Sequence, residues 1–208
     1  LATDEMDMSI EEAVARLRRD PGYVELFTRT FGRTPNEEDL ARSLASYVRT
    51  LRTGDSRFDR FVDGDRGALS EFEIRGKELF QGRAGCFRCH RGATLSDEQF
   101  HNTGVAWREG ELQDMGRYAI SGEEADRGAF KTPTLRQVAR TAPYMHDGSL
   151  ATLEDVVDFY DGGGNDNPYR DPRIGPLGLD EDEKAALVAF LGSLTGVVSE
   201  GIRSPALR

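Results

Sequence analysis

Cys86-Phe87-Arg88-Cys89-His90 holds both cysteines of the 208-residue chain and one of its three histidines. Two thiols at this spacing lie on one turn of backbone, so each can add to a vinyl group on the same edge of a porphyrin. The imidazole that follows then faces the iron. Cys-x-x-Cys-His is the attachment signature of c-type haem. The segment therefore predicts one covalent haem c, with Cys86 and Cys89 as the thioether links and His90 as an axial iron ligand.

Two other uses of paired cysteines fit this sequence less well. A redox-active dithiol normally accompanies a βαβ pattern, and none is visible around Cys86. A structural zinc site needs four ligands, and no second Cys or His pair is available to supply them. Haem attachment requires reduced thiols and a haem supply outside the cytoplasm, so we expect a periplasmic or exported protein.

Composition and charge narrow the range of possible binding partners. The chain has 37 acidic and 27 basic residues, a net charge of −10, a mean hydropathy of −0.56 and 38% hydrophobic residues. This charge argues against binding to nucleic acid or to an anionic membrane. It suits a soluble protein that meets the basic patch of a redox partner, such as a small cytochrome or a cupredoxin. No apolar run is long enough to span a bilayer. The chain opens with Leu1 and no signal peptide, which we interpret as a processed or trimmed start.

Helix signals dominate the rest of the sequence, so the expected class is all-α: a cytochrome c-like haem domain with long irregular loops. Helices are predicted to start at Ser9, Ser70, Thr152 and Asp180, each followed by Glu or Asp at the capping-box position. Further helices are predicted from 21, 34 and 132. The helix from 34 carries an apolar stripe of Leu40, Leu44, Tyr47, Val48 and Leu51. Residues 54–69 are predicted to be a linker, and 92–131 an irregular segment that wraps the cofactor.

The residue types alone leave the sixth iron position open. A thioether would raise the reduction potential, a phenolate would lower it, and an empty position would admit peroxide. The candidates are His101, Met115, Met145, His146 and Tyr160. A histidine near haem more often bonds a propionate or a carbonyl than the iron, so His101 is predicted to belong to the haem environment. Lys131 and Arg136 are predicted to pair with the propionates.

Several segments carry a family resemblance. They are Phe100–Gly104 (FHNTG), Phe130–Arg136 (FKTPTLR), Thr141–Gly148 (TAPYMHDG), Leu153–Tyr160 (LEDVVDFY) and Leu191–Gly196 (LGSLTG). Together they resemble the C-terminal, second-haem portion of bacterial di-haem cytochrome c peroxidases and their MauG-type relatives. The likeness covers most of the chain.

The resemblance implies specific ligands. The peroxidases place a Met, and the MauG branch a Tyr, at the position of Tyr160, which implies a haem held by His90 and Tyr160, with Met145 as the alternative. It also implies calcium bound by the backbone carbonyls of Thr141 and Pro143. The remaining calcium ligand would come from the other haem domain.

The chain departs from the family in having one Cys-x-x-Cys-His motif instead of two. The resemblance implies that 1–54 is the end of the first haem domain and that 55–178 is the cytochrome c-like domain. It also implies that 179–208 is a helix and tail packed back on the N-terminal part. We expect the chain to be the electron-relay part of a peroxidase-type oxidoreductase, whose peroxide-reacting haem lies elsewhere. The alternative is a free-standing mono-haem electron carrier without peroxidase activity. No catalytic residue is assigned.

Overall fold

The computed structural model describes residues 8–200, and helices form its framework. The helices are α1 (Ile10–Arg19), α2 (Pro21–Phe31), α3 (Glu37–Val48), α4 (Arg57–Val62), α5 (Glu71–Gln81), α6 (Tyr118–Ser121), α7 (Leu153–Asp161) and α8 (Glu181–Ser193). Short 3₁₀ turns lie at Cys86–Arg88, Glu124–Asp126 and Val138–Arg140. The all-α class predicted from the sequence is confirmed.

Within residues 8–200, the strands form three small two-stranded sheets. Their strands are β1 (Leu51–Gly54), β2 (Phe100–His101), β3 (Trp107–Arg108), β4 (Glu111–Leu112), β5 (Phe130–Lys131) and β6 (Val197–Glu200), paired as β1–β6, β2–β5 and β3–β4. In the β2–β5 pair, His101 lies opposite Phe130. The antiparallel pairings of β2–β5 and β3–β4 fasten the long loops, and strands this short leave no alternation for sequence reasoning to detect.

Helix starts agree with the sequence because the capping side chains are in place. The side chains of Ser70, Thr152 and Asp180 each accept a hydrogen bond from the backbone amide three residues on. In return, the carboxylate of that residue accepts a hydrogen bond from the backbone amide of the cap. Two predictions were wrong. The linker at 54–69 contains α4, which begins with a capping box from Ser56 to Asp59. The helix predicted from 132 is instead an irregular run that ends in the Val138–Arg140 turn.

The chain divides into two compact units, and the first contains α1, α2 and α3. The first unit runs to Arg52, and Thr53 begins the second unit. Val198 and Ser199 also belong to the first unit. Its first seven residues, which the sequence analysis also assigned to the end of the first haem domain, lie outside the described part. Asp39 is completely buried in α3, where the Arg33 guanidinium bonds both of its oxygens at 2.6 and 2.9 Å.

The second unit, residues 53–197, is built on the packing of α5 against α8. Phe80 and Phe190 meet edge to face with ring centroids 5.2 Å apart. Gly76 permits this approach, because a Cβ there would overlap the backbone of Ala186. The expectation that the last helix packs back on the N-terminal part stays a prediction. Its apolar residues Ala186, Leu187, Phe190 and Leu191 are all buried, and α8 packs on α5 and α7 of its own unit. Residues 201–208 of the expected tail lie outside the described residues.

Within residues 8–200, no helix combines the length and the apolar character needed to cross a bilayer.

Candidate haem site

A cavity of about 400 Å³ lies in the second unit, between the Cys86–His90 segment and α7. Its volume is in the range of cofactor pockets. Five parts of the chain converge on it: the 84–90 turn, the 101–105 segment, the 130–146 loop, α7 and the 173–177 loop. Apolar side chains from these parts and from α8 line much of it, among them Val105, Leu135, Val138, Leu153, Leu177 and Leu191. The predicted wrapping segment therefore encloses a space rather than a solid core.

The paired cysteines sit on one turn at the cavity wall. Gly85 adopts a left-handed conformation with φ 66°, which starts the 3₁₀ turn Cys86–Arg88. The turn continues as the amide of His90 donates to the carbonyl of Cys86 at 2.9 Å. Burial raises the pKa of the Cys86 thiol to about 11, and it also raises the pKa of Cys89. Both cysteines and His90 line the same cavity, as the motif predicts.

His90 is oriented by its second nitrogen. Nδ1 lies 3.1 Å from the carbonyl oxygen of Leu95, which can only accept a hydrogen bond, so Nδ1 carries the proton. Nε2 is then the nitrogen with a free lone pair. Burial lowers the pKa of His90, which favours the neutral imidazole that a metal requires. A backbone carbonyl that fixes the tautomer in this way is the usual support for a metal-binding histidine.

Tyr160 lies in the last turn of α7 and lines the cavity. Burial raises its pKa to about 12, the adjacent Thr103 side chain acts in the opposite direction, and the two cysteine thiols add to the increase. A neutral phenol is therefore stable in the protein alone, and a bound cation would favour its deprotonation. Met145 lines the same cavity and has a left-handed backbone, with φ 68°.

The other ligand candidates are placed differently. Met115 is 41% exposed and is not among the lining residues; its sulfur lies 3.7 Å from Arg127. His146 lines the cavity, but its ring stacks on Phe130 with 3.6 Å between centroids. The structure therefore brings together Tyr160 and Met145 with His90 and leaves Met115 outside.

His101 is held in a charged cluster beside Cys89. Its Nε2 lies 3.0 Å from Asp97 and its Nδ1 lies 2.9 Å from Asp171, while Arg173 approaches Nδ1 at 2.7 Å. Ligand atoms of Cys89, Asp97 and His101 lie within 4.8 Å of one another. His101 therefore lies in a charged cluster on the Cys89 side of the cavity, and its part in a haem environment stays a prediction.

Arg173 is a cavity residue that sequence reasoning missed. Asp171 binds its Nε and Nη2 at 3.0 and 2.7 Å, which lowers the pKa of Asp171 to about 2 and raises that of the guanidinium. The Asp171-Pro172-Arg173 sequence is the only local signal for the ion pair of Asp171 with Arg173. Nothing in the neighbouring sequence indicates that Arg173 lies near Cys89.

Lys131 and Arg136 do not share one role. Lys131 lines the cavity, with Nζ 2.5 Å from Glu98. The prediction that Arg136 faces the haem is corrected, because it is absent from the lining and Asp59 binds both ends of its guanidinium at 2.9 and 3.0 Å. The Nε of Arg136 donates a hydrogen bond to the carbonyl of Ala93 at 2.6 Å. Arg136 therefore fastens its loop to α4.

Thr141 and Pro143 line the cavity on the Met145 side, and the Thr141 hydroxyl donates to the carbonyl of Val138 at 3.1 Å. Calcium at their carbonyls stays a prediction.

The residues of the cavity suit a covalently held haem. Two thiols lie on one turn, one imidazole nitrogen is free, an apolar wall surrounds the space, and a phenol faces the interior. Fold and site together define a c-type cytochrome domain.

Comparison with known proteins agrees with the assignment of a c-type cytochrome domain. Residues 74–195 match the family described as Cytochrome c, and residues 1–67 match Di-haem cytochrome c peroxidase. The chain is 40% identical over 198 residues to the methylamine utilization protein MauG of Methylorubrum extorquens, covering 93% of this chain and 55% of that protein. It is 36% identical over 189 residues to the cytochrome c551 peroxidase of Nitrosomonas europaea, covering 89% and 52%.

Solved structures show the same relationship. A MauG-like protein associated with microbial copper homeostasis superposes with a TM-score of 0.76 at 34% identity, covering 89% of this chain and 62% of that one. The diheme peroxidase BthA of Burkholderia thailandensis shares the fold, with a TM-score of 0.72 at 22% identity, covering 98% and 63%. The chain belongs to the di-haem cytochrome c peroxidase family, and it spans about half the length of the curated relatives it matches.

Proposed function

We propose that this chain is the electron-relay haem module of a di-haem peroxidase-type oxidoreductase. The observation that carries the proposal is the placement of Tyr160 in the cavity that also contains Cys86, Cys89 and His90. If the imidazole of His90 and the phenol oxygen of Tyr160 both held the iron of a bound haem, peroxide would find no open position there. A closed site of this kind suits electron transfer, and peroxide would react at a second haem.

Each of these four residues has a distinct role in the proposed module. Cys86 and Cys89 hold the single haem covalently, and the bound haem supplies one-electron redox chemistry. His90 presents Nε2 because the Leu95 carbonyl keeps the proton on Nδ1. Tyr160 would hold the iron of the bound haem through its phenol oxygen, and the apolar wall would exclude water from it.

The partners follow from charge and from the family. The electron donor is a small cytochrome or a cupredoxin that presents a basic surface to this acidic chain. The acceptor is a domain bearing the other haem, with calcium bound near Thr141 and Pro143. Because haem attachment takes place outside the cytoplasm, the protein is periplasmic or exported.

Three measurements on matured protein test the proposal: intact mass, haem-to-protein ratio, and peroxide-dependent oxidation of reduced horse cytochrome c. We expect one covalent haem per chain and no peroxide turnover by the chain alone. Sustained turnover by a chain with one haem would overturn the relay assignment, as would a mass equal to that of the bare polypeptide. Fusion to the first-haem domain of the M. extorquens relative should restore turnover, whereas a free-standing carrier would gain none.

A further inference from the structure

Three side chains of the kinds that bind transition metals meet on the Cys89 side of the cavity. The ligand atoms of Cys89, Asp97 and His101 lie within 4.8 Å of one another. The closest pair is His101 Nε2 and Asp97 Oδ2, at 3.0 Å. Ligand atoms on a tetrahedral zinc ion are about 3.3 to 3.6 Å apart at its usual bond lengths. A rotation of the Cys89 side chain can close the remaining gap. We call these three residues the Cys89 cluster.

The carboxylate of Asp97 is held with one oxygen directed at the cluster. Its Oδ1 accepts a hydrogen bond from the amide of Gln99 at 3.0 Å, so Oδ2 is the oxygen that faces His101. The Asp97 side chain is only 2% exposed. Ser96 fixes the turn, because its hydroxyl donates to the carbonyl of Thr132 at 2.7 Å. The carboxylate is therefore oriented before any ion arrives.

His101 is supported at its other nitrogen. Nδ1 lies 2.9 Å from Asp171 and 2.7 Å from Arg173. In the protein alone, Nε2 can donate to Asp97 while Nδ1 accepts from Arg173. With a metal at Nε2, the proton moves to Nδ1 and is donated to Asp171, which is the usual outer support of a metal-binding histidine. Arg173 keeps its two hydrogen bonds to Asp171 in both arrangements.

The charges of the cluster match a divalent cation. Cys89 as a thiolate and Asp97 supply two negative charges, and the ion pair of Asp171 with Arg173 adds no net charge. Burial raises the pKa of Cys89, so the thiol keeps its proton until a metal displaces it. Thiolate, imidazole and carboxylate are all zinc ligands, and water can take a fourth position. Such a site differs from the four-ligand structural site that the sequence disfavours.

We propose that the chain binds a zinc ion at Cys89, Asp97 and His101 before haem is attached. The metal displaces the thiol proton to solvent, and no electron is transferred. Haem attachment bonds a vinyl carbon to the same sulfur, so the metal and the haem exclude each other at Cys89. The cluster thereby makes maturation sensitive to divalent metal. This consequence rests on the proposed haem module, whereas binding of the metal by the haem-free chain does not.

Titration of the full haem-free chain with Co²⁺ under reducing conditions tests the site. The chain should bind one ion with a thiolate-to-cobalt band in the near ultraviolet, and Zn²⁺ should displace it. Cys89→Ser, Asp97→Asn and His101→Gln should each weaken binding roughly tenfold or more, and Asp171→Asn should weaken it roughly tenfold. His146→Gln is the matched control and should keep the original affinity, because His146 lines the cavity outside the cluster.

The haem-attachment motif offers a competing metal site, with Cys86, Cys89 and His90 as ligands. If the motif were the site, Cys86→Ala would abolish the cobalt band and Asp97→Asn would leave it, which would overturn the proposal. Alkylation by N-ethylmaleimide, followed by peptide mass spectrometry, separates the two sites without any substitution. Zn²⁺ should slow alkylation of Cys89 roughly tenfold or more and leave that of Cys86 nearly unchanged. Equal protection of both thiols would assign the metal to the motif.

Two further outcomes would overturn the proposal: a chain that shows no thiolate-to-cobalt band, or equal zinc binding by the haem-bearing protein. Circular dichroism distinguishes loss of a ligand from loss of the fold. If a variant unfolds, the alkylation of the unsubstituted chain still decides the case. A chain that binds cobalt at the Cys89 cluster but gains no relay haem would refute the proposed function and leave the metal site standing.

Discussion

In the proposed relay module, Tyr160 is the residue on which the electronic character of the site depends. Its phenol faces the cavity, and burial raises its pKa to about 12, so it stays protonated unless a cation lies beside it. We predict that Tyr160→Phe converts a low-spin ferric spectrum to a largely high-spin one. Affinity for imidazole should rise roughly tenfold or more, because the position is no longer blocked. Visible and electron paramagnetic resonance spectra would record the change.

Tyr144 provides the matched control for this prediction. Tyr144 also lines the cavity, but its hydroxyl donates a hydrogen bond to the Val138 carbonyl at 3.0 Å. Tyr144→Phe should therefore leave the spin state unchanged. If Tyr160→Phe changed nothing while Met145→Ala produced the high-spin form, Met145 would be the ligand.

Arg173 is the charged residue with the clearest electrostatic effect on the site. Asp171 anchors it, and it lies close enough to Cys89 to oppose the increase in the pKa of that thiol, which burial dominates. A positive charge near the iron favours the reduced state. We predict that Arg173→Gln lowers the midpoint potential by an amount equivalent to about 1 kcal/mol. Arg75→Gln, an exposed change on α5, should leave the potential measured by redox titration unaltered. An unchanged potential in Arg173→Gln would place the guanidinium too far from the iron to matter.

At the scale of the element, the packing of α5 on α8 decides the stability of the second unit. A methyl group at Gly76 would overlap the carbonyl of Ala186 in the facing helix, and backbone cannot move aside cheaply. We predict that Gly76→Ala costs at least about 2 kcal/mol of unfolding free energy. Gly192→Ala in α8 is the control, since nothing lies within 4 Å of its Cβ position. It should be neutral or stabilising by up to about 1 kcal/mol in urea unfolding. Equal effects of the two substitutions would show that the helices are not in close contact.

The same elements show what could be predicted from the sequence. Capping pairs three residues apart are local, so their physics is complete within a few residues and the predicted helix starts are confirmed. The spacing of Cys86 and Cys89 is local as well, and the structure places both on one turn. The prediction that Arg136 pairs with a propionate failed because its partner, Asp59, lies 77 residues away in a segment interpreted as a linker. Arg173 was missed for the same reason, since His101 is 72 residues distant. Long-range pairs of this kind leave no periodic signal in a single sequence.

At the scale of the whole molecule, the second unit combines a helical framework with loops that surround a cavity. The α5–α8 framework contains the largest buried side chains, such as Phe190 and Leu194, and makes its own contacts. The loops of 97–135 and 141–152 are joined by two-residue strands and by side-chain bonds, and much of their apolar surface faces the cavity. Haem should therefore order the loops far more than it orders the helices.

Removal of haem tests this division. We predict that the haem-free Cys86→Ala/Cys89→Ala chain keeps slow amide exchange in α5 and α8, while peptides from 97–135 and 141–152 exchange at least roughly tenfold faster than in the haem-bearing protein. Hydrogen–deuterium exchange with mass spectrometry resolves these segments. The Ala substitutions themselves remove little packing, and a chain with intact cysteines produced without haem attachment separates their effect from that of the cofactor. Uniform loss of protection would mean that the helices also depend on haem, and unchanged loops would mean that the cavity is held open by the polypeptide alone.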